Sequence, residues 1–199
     1  AANHGNVSAP NKDDDMYSYL RGVAVGGIVG KDISVSECGK IDRAYNDGQI
    51  GNEDGNYFGG IIGCNYDCDI TNVYNAGKVI GYNYSGGLVG YKLGGTIENA
   101  YNSGEVNTHT EYQLIGSMKN ATANNLYNIG DSTKLVALEN GGDISTVYAV
   151  DTVSASDLSD AFTDSDNLPV IDWSNAPTGE DETFDIELSL IHISEPTRH

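Results

Sequence analysis

Cysteine and histidine are the residue types in this chain that most readily support metal binding or nucleophilic catalysis. Cys64 and Cys68 form a Cys-x3-Cys pair, accompanied by one further cysteine and no nearby histidine. This set offers too few ligands, at the wrong spacing, for a structural zinc site. We therefore expect neither a metal nor another cofactor here.

His4 and His109 are the histidines that remain once residues 188–199 are set aside for the reason given below. Both are interpreted as exposed loop residues. The chain has neither the His-Glu-x-x-His motif of zinc peptidases nor the Gly-x-Ser-x-Gly turn that presents a catalytic serine. A serine or cysteine triad would lack its base, so we predict no catalytic residue.

Paired carboxylates are the remaining route to catalysis, because some β-solenoids cleave carbohydrates with two acids on one face. Asp42 and Glu98 occupy the same position of a repeat described below, with Thr71 between them. Two strand spacings would separate them by roughly 9 to 10 Å, the wide limit for an inverting pair. No basic or aromatic sugar cradle accompanies them, which favours a solvated acidic face.

Two oxygen-rich stretches could bind calcium. They are Asn52–Asn56 and Asp13–Asp15. Neither follows the alternating ligand spacing with a distal glutamate that typifies calcium loops. Hydrated turns are the favoured interpretation, and calcium is kept as the weaker alternative.

The net charge limits the possible partners. Ten basic residues against 29 acidic ones leave a formal charge of −19. Such a surface repels phosphate backbones and anionic lipids. We expect no nucleic-acid partner, and membrane association only through regions outside this chain, because no apolar run approaches the ~18 residues that span a bilayer.

The elements that must position these residues are set by an internal repeat. A Tyr-Asn-x-Gly segment recurs at Tyr45, Tyr74, Tyr101 and Tyr127, at intervals of 29, 27 and 26 residues. Each is preceded by a short glycine-flanked apolar pair, as in Gly87–Gly90. Repeats of this length with only short apolar runs indicate coils of a parallel β-solenoid, each strand pairing with its counterpart one coil on.

Stacked coils place every repeat position beside its own copy. The asparagines can then form a ladder of hydrogen-bonded amides, and the following glycines are predicted to turn the chain at positive φ. A corner or bulge is expected near Glu98–Asn99, because Ile97 and Ala100 both belong to the core but are three residues apart. The tyrosines form either an internal stack or an exposed binding stripe. The predicted ladder comprises Tyr45, Tyr74, Tyr101, Tyr127, Asn46, Asn75, Asn102 and Asn128.

The same register brings two cysteines close together. Cys38 and Cys68 fall within one position of each other on neighbouring coils, where a disulfide is geometrically feasible. Export would permit the bond. Two alternatives stay open, a Cys38–Cys68 disulfide and a set of buried free thiols.

The repeat resembles the GLUG motif, which recurs in large secreted or surface-anchored bacterial proteins, including adhesin-like proteins and peptidases that cleave immunoglobulin A. The resemblance covers about residues 22–150 and is strongest at Gly87-Leu88-Val89-Gly90. In the fourth repeat Gln113 stands at the position that Gly87 occupies in the third. The resemblance implies a bacterial exported protein, and we expect residues 1–150 to be a fragment that begins within a coil, without its natural N-terminus.

The sequence after Asp151 is no longer periodic. Residues 151–187 contain eleven acidic and no basic side chains. Apolar residues up to Trp173 suffice to cover the open end of a solenoid, so 151–173 is predicted to be a C-terminal cap, with a disordered linker as the alternative, and 174–187 an acidic linker. Residues 188–199 resemble a translated sequencing adapter and are excluded from fold reasoning; a genuine polar tail is the alternative.

The expected fold is therefore all-β, a parallel β-solenoid of about four to five coils with a C-terminal cap. The expected function, implied by the resemblance, is a non-enzymatic structural or adhesive segment of a large exported surface protein. Its partner would be a host glycan or protein at the cell surface. The alternatives are an accessory domain of a secreted peptidase or carbohydrate-active enzyme, and a calcium-stabilised glycan-binding module.

Overall fold

The computed structural model describes residues 1–8, 23–32, 39–165 and 168–175. Over these residues the chain is all-β, with four parallel sheets and one short antiparallel pair. This arrangement is consistent with the predicted β-solenoid. Within the described ranges, no helix is long and apolar enough to cross a membrane.

The strands are short, as expected from apolar runs bounded by glycine and asparagine. They are β1 (Ala2–Asn3), β2 (Val25–Gly26), β3 (Val29–Asp32), β4 (Ile41–Asn46), β5 (Ile50–Gly51), β6 (Phe58–Gly59), β7 (Ile62–Tyr66), β8 (Ile70–Asn75), β9 (Val79–Gly81), β10 (Val89–Leu93), β11 (Thr96–Asn102), β12 (Val106–Thr108), β13 (Ile115–Lys119), β14 (Thr122–Ile129), β15 (Val136–Leu138), β16 (Asp143–Ile144), β17 (Val147–Val150), β18 (Phe162–Thr163) and β19 (Val170–Ile171). One α-helix, α1 (Ala155–Leu158), and one 3-10 helix (Trp173–Asn175) follow the repeats.

Each central repeat contributes one strand to each of three parallel sheets. The long sheet has the order β1-β4-β8-β11-β14-β16, with β17 also paired to β14. The second sheet runs β15-β13-β10-β7-β3, and the third runs β12-β9-β5. Strands that neighbour one another in a sheet come from successive repeats, about 4.8 Å apart, so equivalent residues lie side by side.

The interior is filled by the apolar residues that recur in every repeat. Ile61 and Ile62 of one repeat stack below Leu88 and Val89 of the next, and all four side chains are fully buried. Facing them from the long sheet are two rows of inward residues. These rows are Ile70, Ile97 and Ala123, and Ala44, Val73, Ala100 and Leu126.

A left-handed residue bends the four longest strands of the long sheet, β4, β8, β11 and β14, at the same place. Arg43, Asn72, Asn99 and Asn125 have φ values of 50°, 53°, 52° and 54°. This confirms the bend predicted near Glu98–Asn99. Asparagine tolerates this conformation better than most residues, and the bend turns both Ile97 and Ala100 into the core, where each is fully buried.

The glycines of the Tyr-Asn-x-Gly segment correct one prediction. Gly130 has a φ of +102°, as expected, but Gly48, Gly77 and Gly104 do not have positive φ. A Cβ on any of these three would instead collide with the backbone carbonyl of the neighbouring repeat. They are therefore required by the close approach of two coils, which a single coil considered alone does not reveal.

The segment after the repeats packs along the side of the long sheet. Leu158, Phe162 and Ile171 are buried in one cluster with Tyr74 and Tyr101. By contrast, Trp173, the last apolar residue of the predicted cap, is 49% exposed. The last strands also carry exposed apolar side chains, at Leu138, Ile144 and Tyr148. Among the described residues, this segment lies over the tyrosines of the long sheet. The cap predicted for residues 151–173 stays a prediction.

Candidate functional site

The asparagines of the repeat form one continuous hydrogen-bonded column inside the molecule. The Nδ2 group of each residue donates to the Oδ1 atom of the next, over 2.7 Å from Asn46 to Asn75, 2.8 Å from Asn75 to Asn102 and 3.0 Å from Asn102 to Asn128. Asn3 extends the column at its start with a 2.6 Å bond to Asn46. All of these bonds point the same way, so the amide dipoles reinforce one another.

Each asparagine also holds its own turn. Asn75 Nδ2 donates to the carbonyl of Gly77 at 2.7 Å, and Asn102 Nδ2 donates to that of Gly104 at 2.9 Å. Burial of a primary amide is costly unless its groups are bonded. Here both amide protons are used, one within the repeat and one between repeats.

The glycine directly before the apolar pair of each repeat makes room for this column. A Cβ on Gly87 would lie 2.5 Å from Cγ of Asn102, and a Cβ on Gly27 would lie 2.7 Å from Cγ of Asn46. The fourth repeat has Gln113 at this position. There the turn bond from Asn128 to the Gly130 carbonyl lengthens to 3.4 Å. The two recurring signals, Gly-Gly and Tyr-Asn, are therefore two sides of one contact.

The tyrosines form a second column on the outer face of the same strands. The rings of Tyr45 and Tyr74 stack at 4.9 Å and 2°, and those of Tyr74 and Tyr101 at 5.0 Å and 4°. Tyr127 departs from the stack and tilts against Tyr148 at 42°. Tyr101 donates its hydroxyl to the Pro169 carbonyl at 2.5 Å, which anchors the C-terminal segment.

Burial changes the acidity of the stacked phenols. It raises the pKa of Tyr74 to about 12, and the neighbouring Tyr45 and Asp47 add to the effect. For Tyr101, which is more deeply buried, the pKa moves in the same direction. The C-terminal segment covers Tyr74 and Tyr101. These tyrosines therefore form an internal stack and are not open to a ligand.

The carboxylates Asp42 and Glu98 lie in the column that the sequence indicated, with Thr71 between them. Asp42 accepts hydrogen bonds from Asn72 at 2.6 Å and Thr71 at 2.8 Å. Burial acts to raise the pKa of Asp42, but these bonds and the charge of Arg43 outweigh it and hold the pKa below its usual value. Glu98 accepts a 3.0 Å bond from Asn124. Both carboxylates thus take part in contacts between repeats.

The cysteines differ in state. Cys68 is disulfide-bonded, and Cys64 is a buried free thiol whose pKa is raised by burial. The predicted partner, Cys38, lies outside the described residues, so the Cys38–Cys68 pairing stays a prediction. Among the described residues, no group of three or more His, Cys, Asp or Glu side chains is placed to hold a metal ion.

The histidines near the repeats make local contacts. His4 Nδ1 lies 2.8 Å from Asp47, and its Nε2 lies 3.1 Å from the Tyr45 hydroxyl. His109 stacks on Tyr82 with ring centroids 4.7 Å apart. His192 and His199 lie outside the described residues.

One of the two candidate calcium loops lies within the described residues. Asp13–Asp15 lies outside the described residues. In Asn52–Asn56, Asn52 Oδ1 accepts the backbone N–H of Asp54 at 3.2 Å, and Asn56 Oδ1 accepts that of Asn83 at 3.0 Å. These side-chain oxygens therefore organise the loop and its neighbour.

An open groove lies beside the exposed aromatic pair Tyr82 and His109. The Tyr82 side chain is 45% exposed. Asn107 and Thr108, which directly precede His109, line the groove, whose volume is about 560 Å³. Its wall includes two carboxylates, Glu111 and Asp131. Aromatic and polar groups of this kind suit a sugar ring.

A buried lysine was missed by the sequence reasoning. Lys92 is fully buried, and its Nζ contacts Asn65 Oδ1 at 2.5 Å, the Cys68 carbonyl at 2.7 Å and the Gly94 carbonyl at 2.8 Å. The repeat alignment contains the signal for it, since Lys92 pairs with Asn65 on one side and Met118 on the other. A polar column at a buried position could have been noticed from that register.

Comparison with known families identifies the repeat. The family model for the GLUG motif matches residues 54–80 and 81–107. The match confirms the resemblance for two consecutive repeats, which contribute β6 to β9 and β10 to β12. Neither a curated protein nor a solved structure gives a significant match to the chain.

Proposed function

We propose that this chain, in which two GLUG motifs form part of a stack of parallel β-strands, is a non-enzymatic structural segment of a large exported bacterial surface protein. The finer architecture belongs to this proposal: about four to five coils of a solenoid, with a C-terminal segment acting as a cap along its side. In this role the segment is a short, stiff spacer that carries or extends an adhesive surface.

The observation that carries the proposal is that the recurring side chains bond and pack against their own copies in neighbouring repeats. Asn75 and Asn102 each donate one amide proton within their own turn and the other to the next repeat. Tyr74 and Tyr101 stack on each other beneath the C-terminal segment. Residues repeated for ligand binding would be open to solvent, whereas these are buried between coils. The repeat therefore favours regular stacking, which gives a rod of constant cross-section.

The intact reading frame tests the exported context. Sequencing it from the same genome should show an export signal, further GLUG repeats and a surface anchor. A catalytic domain next to the repeats would instead favour an accessory domain of a peptidase or carbohydrate-active enzyme. An intact frame with no export signal would contradict the proposal.

A second candidate is glycan binding at Tyr82 and His109, favoured by their exposed stack beside the groove. Saturation-transfer NMR with host-type oligosaccharides tests it on the whole chain. Binding that is lost in Tyr82→Ala but kept in Tyr148→Ala would support this role, because Tyr148 is exposed elsewhere.

A rise in melting temperature with added calcium would support the calcium-stabilised form. If neither ligand has an effect, the spacer function alone remains.

A further inference from the structure

The contact between Lys92 and Asn65 is unusual for a lysine. Both side chains have no exposed surface, and they lie on adjacent parallel strands, β10 and β7. Their 2.5 Å separation from Nζ to Oδ1 is shorter than an ordinary hydrogen bond of this type. A lysine is rarely buried completely, so this pair requires a specific explanation.

The amide of Asn65 is only half satisfied. Its Oδ1 faces Lys92, but its Nδ2 is buried and has no hydrogen-bond partner among the described residues. The asparagines of the column described above donate from their amide nitrogens, so Asn65 differs from them. A buried unpaired N–H₂ group costs free energy. That cost disappears if the nitrogen leaves the protein.

The amine of Lys92 is fixed in position beside the Asn65 amide, as a nucleophile must be. Carbonyls of Cys68 and Gly94 fix Nζ against the Asn65 amide. Burial lowers the pKa of Lys92 to about 8, although Asp69, Asp67 and Asp32 act in the opposite direction. At neutral pH roughly one amine in ten is then uncharged, which is the form that attacks a carbonyl carbon.

A carboxylate stands next in the same column. Asp32 on β3 pairs with Asn65 on β7, on the side opposite Lys92. The order Asp32, Asn65, Lys92 therefore runs across three successive strands of the second sheet. Asp32 Oδ2 lies 2.8 Å from Cys68 Sγ, and the charge of Asp32 acts on Lys92, so an acid–base group stands near the amine in this column.

We propose that Lys92 and Asn65 join in an intramolecular isopeptide bond that links two successive repeats covalently. Nζ of Lys92 attacks Cγ of Asn65, an Nζ–Cγ bond forms, and the Cγ–Nδ2 bond breaks. Asp32 takes the proton from the amine and passes it to the departing nitrogen, which leaves as ammonia. No oxidant or further reactant is required. The proposal does not depend on the proposed function, because it concerns the chain itself.

Intact mass spectrometry of the purified, reduced chain tests the bond. The chain should be lighter than its sequence mass by one ammonia molecule, and Lys92→Arg should have its full sequence mass. Digestion with trypsin locates the link. A bonded Lys92 resists cleavage, so peptide 44–78 should be found joined to an uncut peptide 79–119.

The wild-type measurement needs no variant and decides the matter. A folded wild-type chain with its full sequence mass, cleaved normally after Lys92, would show an ordinary hydrogen bond and overturn the proposal. Loss of ammonia within a single peptide would also overturn it, because that indicates cyclisation of one asparagine. Asp32→Asn tests the proton carrier: less linked product is expected, and unchanged linkage would remove Asp32 from the mechanism.

Discussion

At the scale of single residues, the fold depends on buried amides that bond to their copies in neighbouring repeats and to their own turns. Asn46, Asn75 and Asn102 lie in the interior, where an unpaired polar group is costly. The glycine opposite each amide supplies the space it occupies, as Gly87 does for Asn102. Substitutions at either side of this contact are therefore expected to affect more than one repeat.

Asn102→Ala removes a central member of the column. It leaves Asn75 Nδ2 without its partner Asn102 Oδ1, and Asn128 Oδ1 without its donor. We expect a loss of about 1 to 3 kcal/mol in the free energy of unfolding, measured by denaturant titration. The control is Asn107→Ala, since Asn107 is exposed and bonds only to the Glu105 side chain among the contacts described. Equal stability of the two variants would contradict a structural role for the column.

Gly87→Ala tests the space beside the column. The new Cβ would lie 2.5 Å from Cγ of Asn102 and would also meet the Gln113 carbonyl. Because one of these obstacles is backbone, we expect a loss of about 1 to 3 kcal/mol in unfolding free energy. Gly39→Ala is the matched control, as nothing lies within 4 Å of its Cβ position. The prediction fails if Gly87→Ala unfolds at the same denaturant concentration as the parent.

The buried phenols predict a loss of stability at alkaline pH. Burial raises the pKa values of Tyr57, Tyr66 and Tyr74 to about 12 each. The folded state thus favours the neutral phenol, so its contribution is complete below the unfolded pKa of about 10 and is lost as the pH rises through about 12.

Two measurements check this expectation. Tyrosinate absorbance of the folded chain should show a late-titrating group among its 13 tyrosines. The denaturant midpoint should be lower at about pH 11 than at about pH 9. A single titration step near pH 10, together with an unchanged midpoint, would contradict the burial of these rings.

At the scale of elements, the strands could be predicted from the sequence. The contacts that a strand or turn makes with other repeats and with the C-terminal segment were harder to predict. The inward rows that contain Ile97 and Ala100 follow from the repeat alignment, and so does the bend at Asn99. The conformations of Gly77 and Gly104 did not follow, because the carbonyl that excludes a Cβ belongs to another repeat. The apolar residues of the C-terminal segment indicated burial without identifying the surface they cover, and the described part of the segment packs on the tyrosines.

Phe162→Ala tests how strongly that segment holds the tyrosine stack. Phe162 is 6% exposed and packs near Tyr101, with ring centroids 6.3 Å apart. Truncating a buried phenylalanine usually costs about 3 to 5 kcal/mol. We expect a loss toward the lower end of that range and greater solvent exposure of the Tyr101 region in hydrogen exchange. Trp173→Ala is the control, because half of that side chain is exposed. Equal effects of both substitutions would show that the segment is not anchored at Phe162.

At the scale of the whole molecule, one register relates all the repeats. Tyr45, Tyr74, Tyr101 and Tyr127 are paired strand by strand, and Tyr148 continues the series. The register was readable from the sequence because the Tyr-Asn-x-Gly segment is nearly invariant. The polar exception within it, Lys92 beside Asn65, can be read only from the alignment of the repeats, because a single lysine breaks no apolar pattern within its own strand. Function is the least accessible property at this scale, because repeat residues that serve stacking do not identify a ligand.

Disulfide trapping tests the shared register most directly. Glu98 and Asn124 are paired on β11 and β14, and neighbouring strands about 4.8 Å apart fall within the Cα separation of a disulfide. The double variant Glu98→Cys with Asn124→Cys should, after mild oxidation and digestion with trypsin, yield a disulfide between the peptide that contains residue 98 and peptide 120–134. Glu98→Cys with Thr122→Cys shifts the pair by two residues and should yield little of that link. Equal linkage of the two variants, or preferential linkage of the shifted pair, would contradict the account.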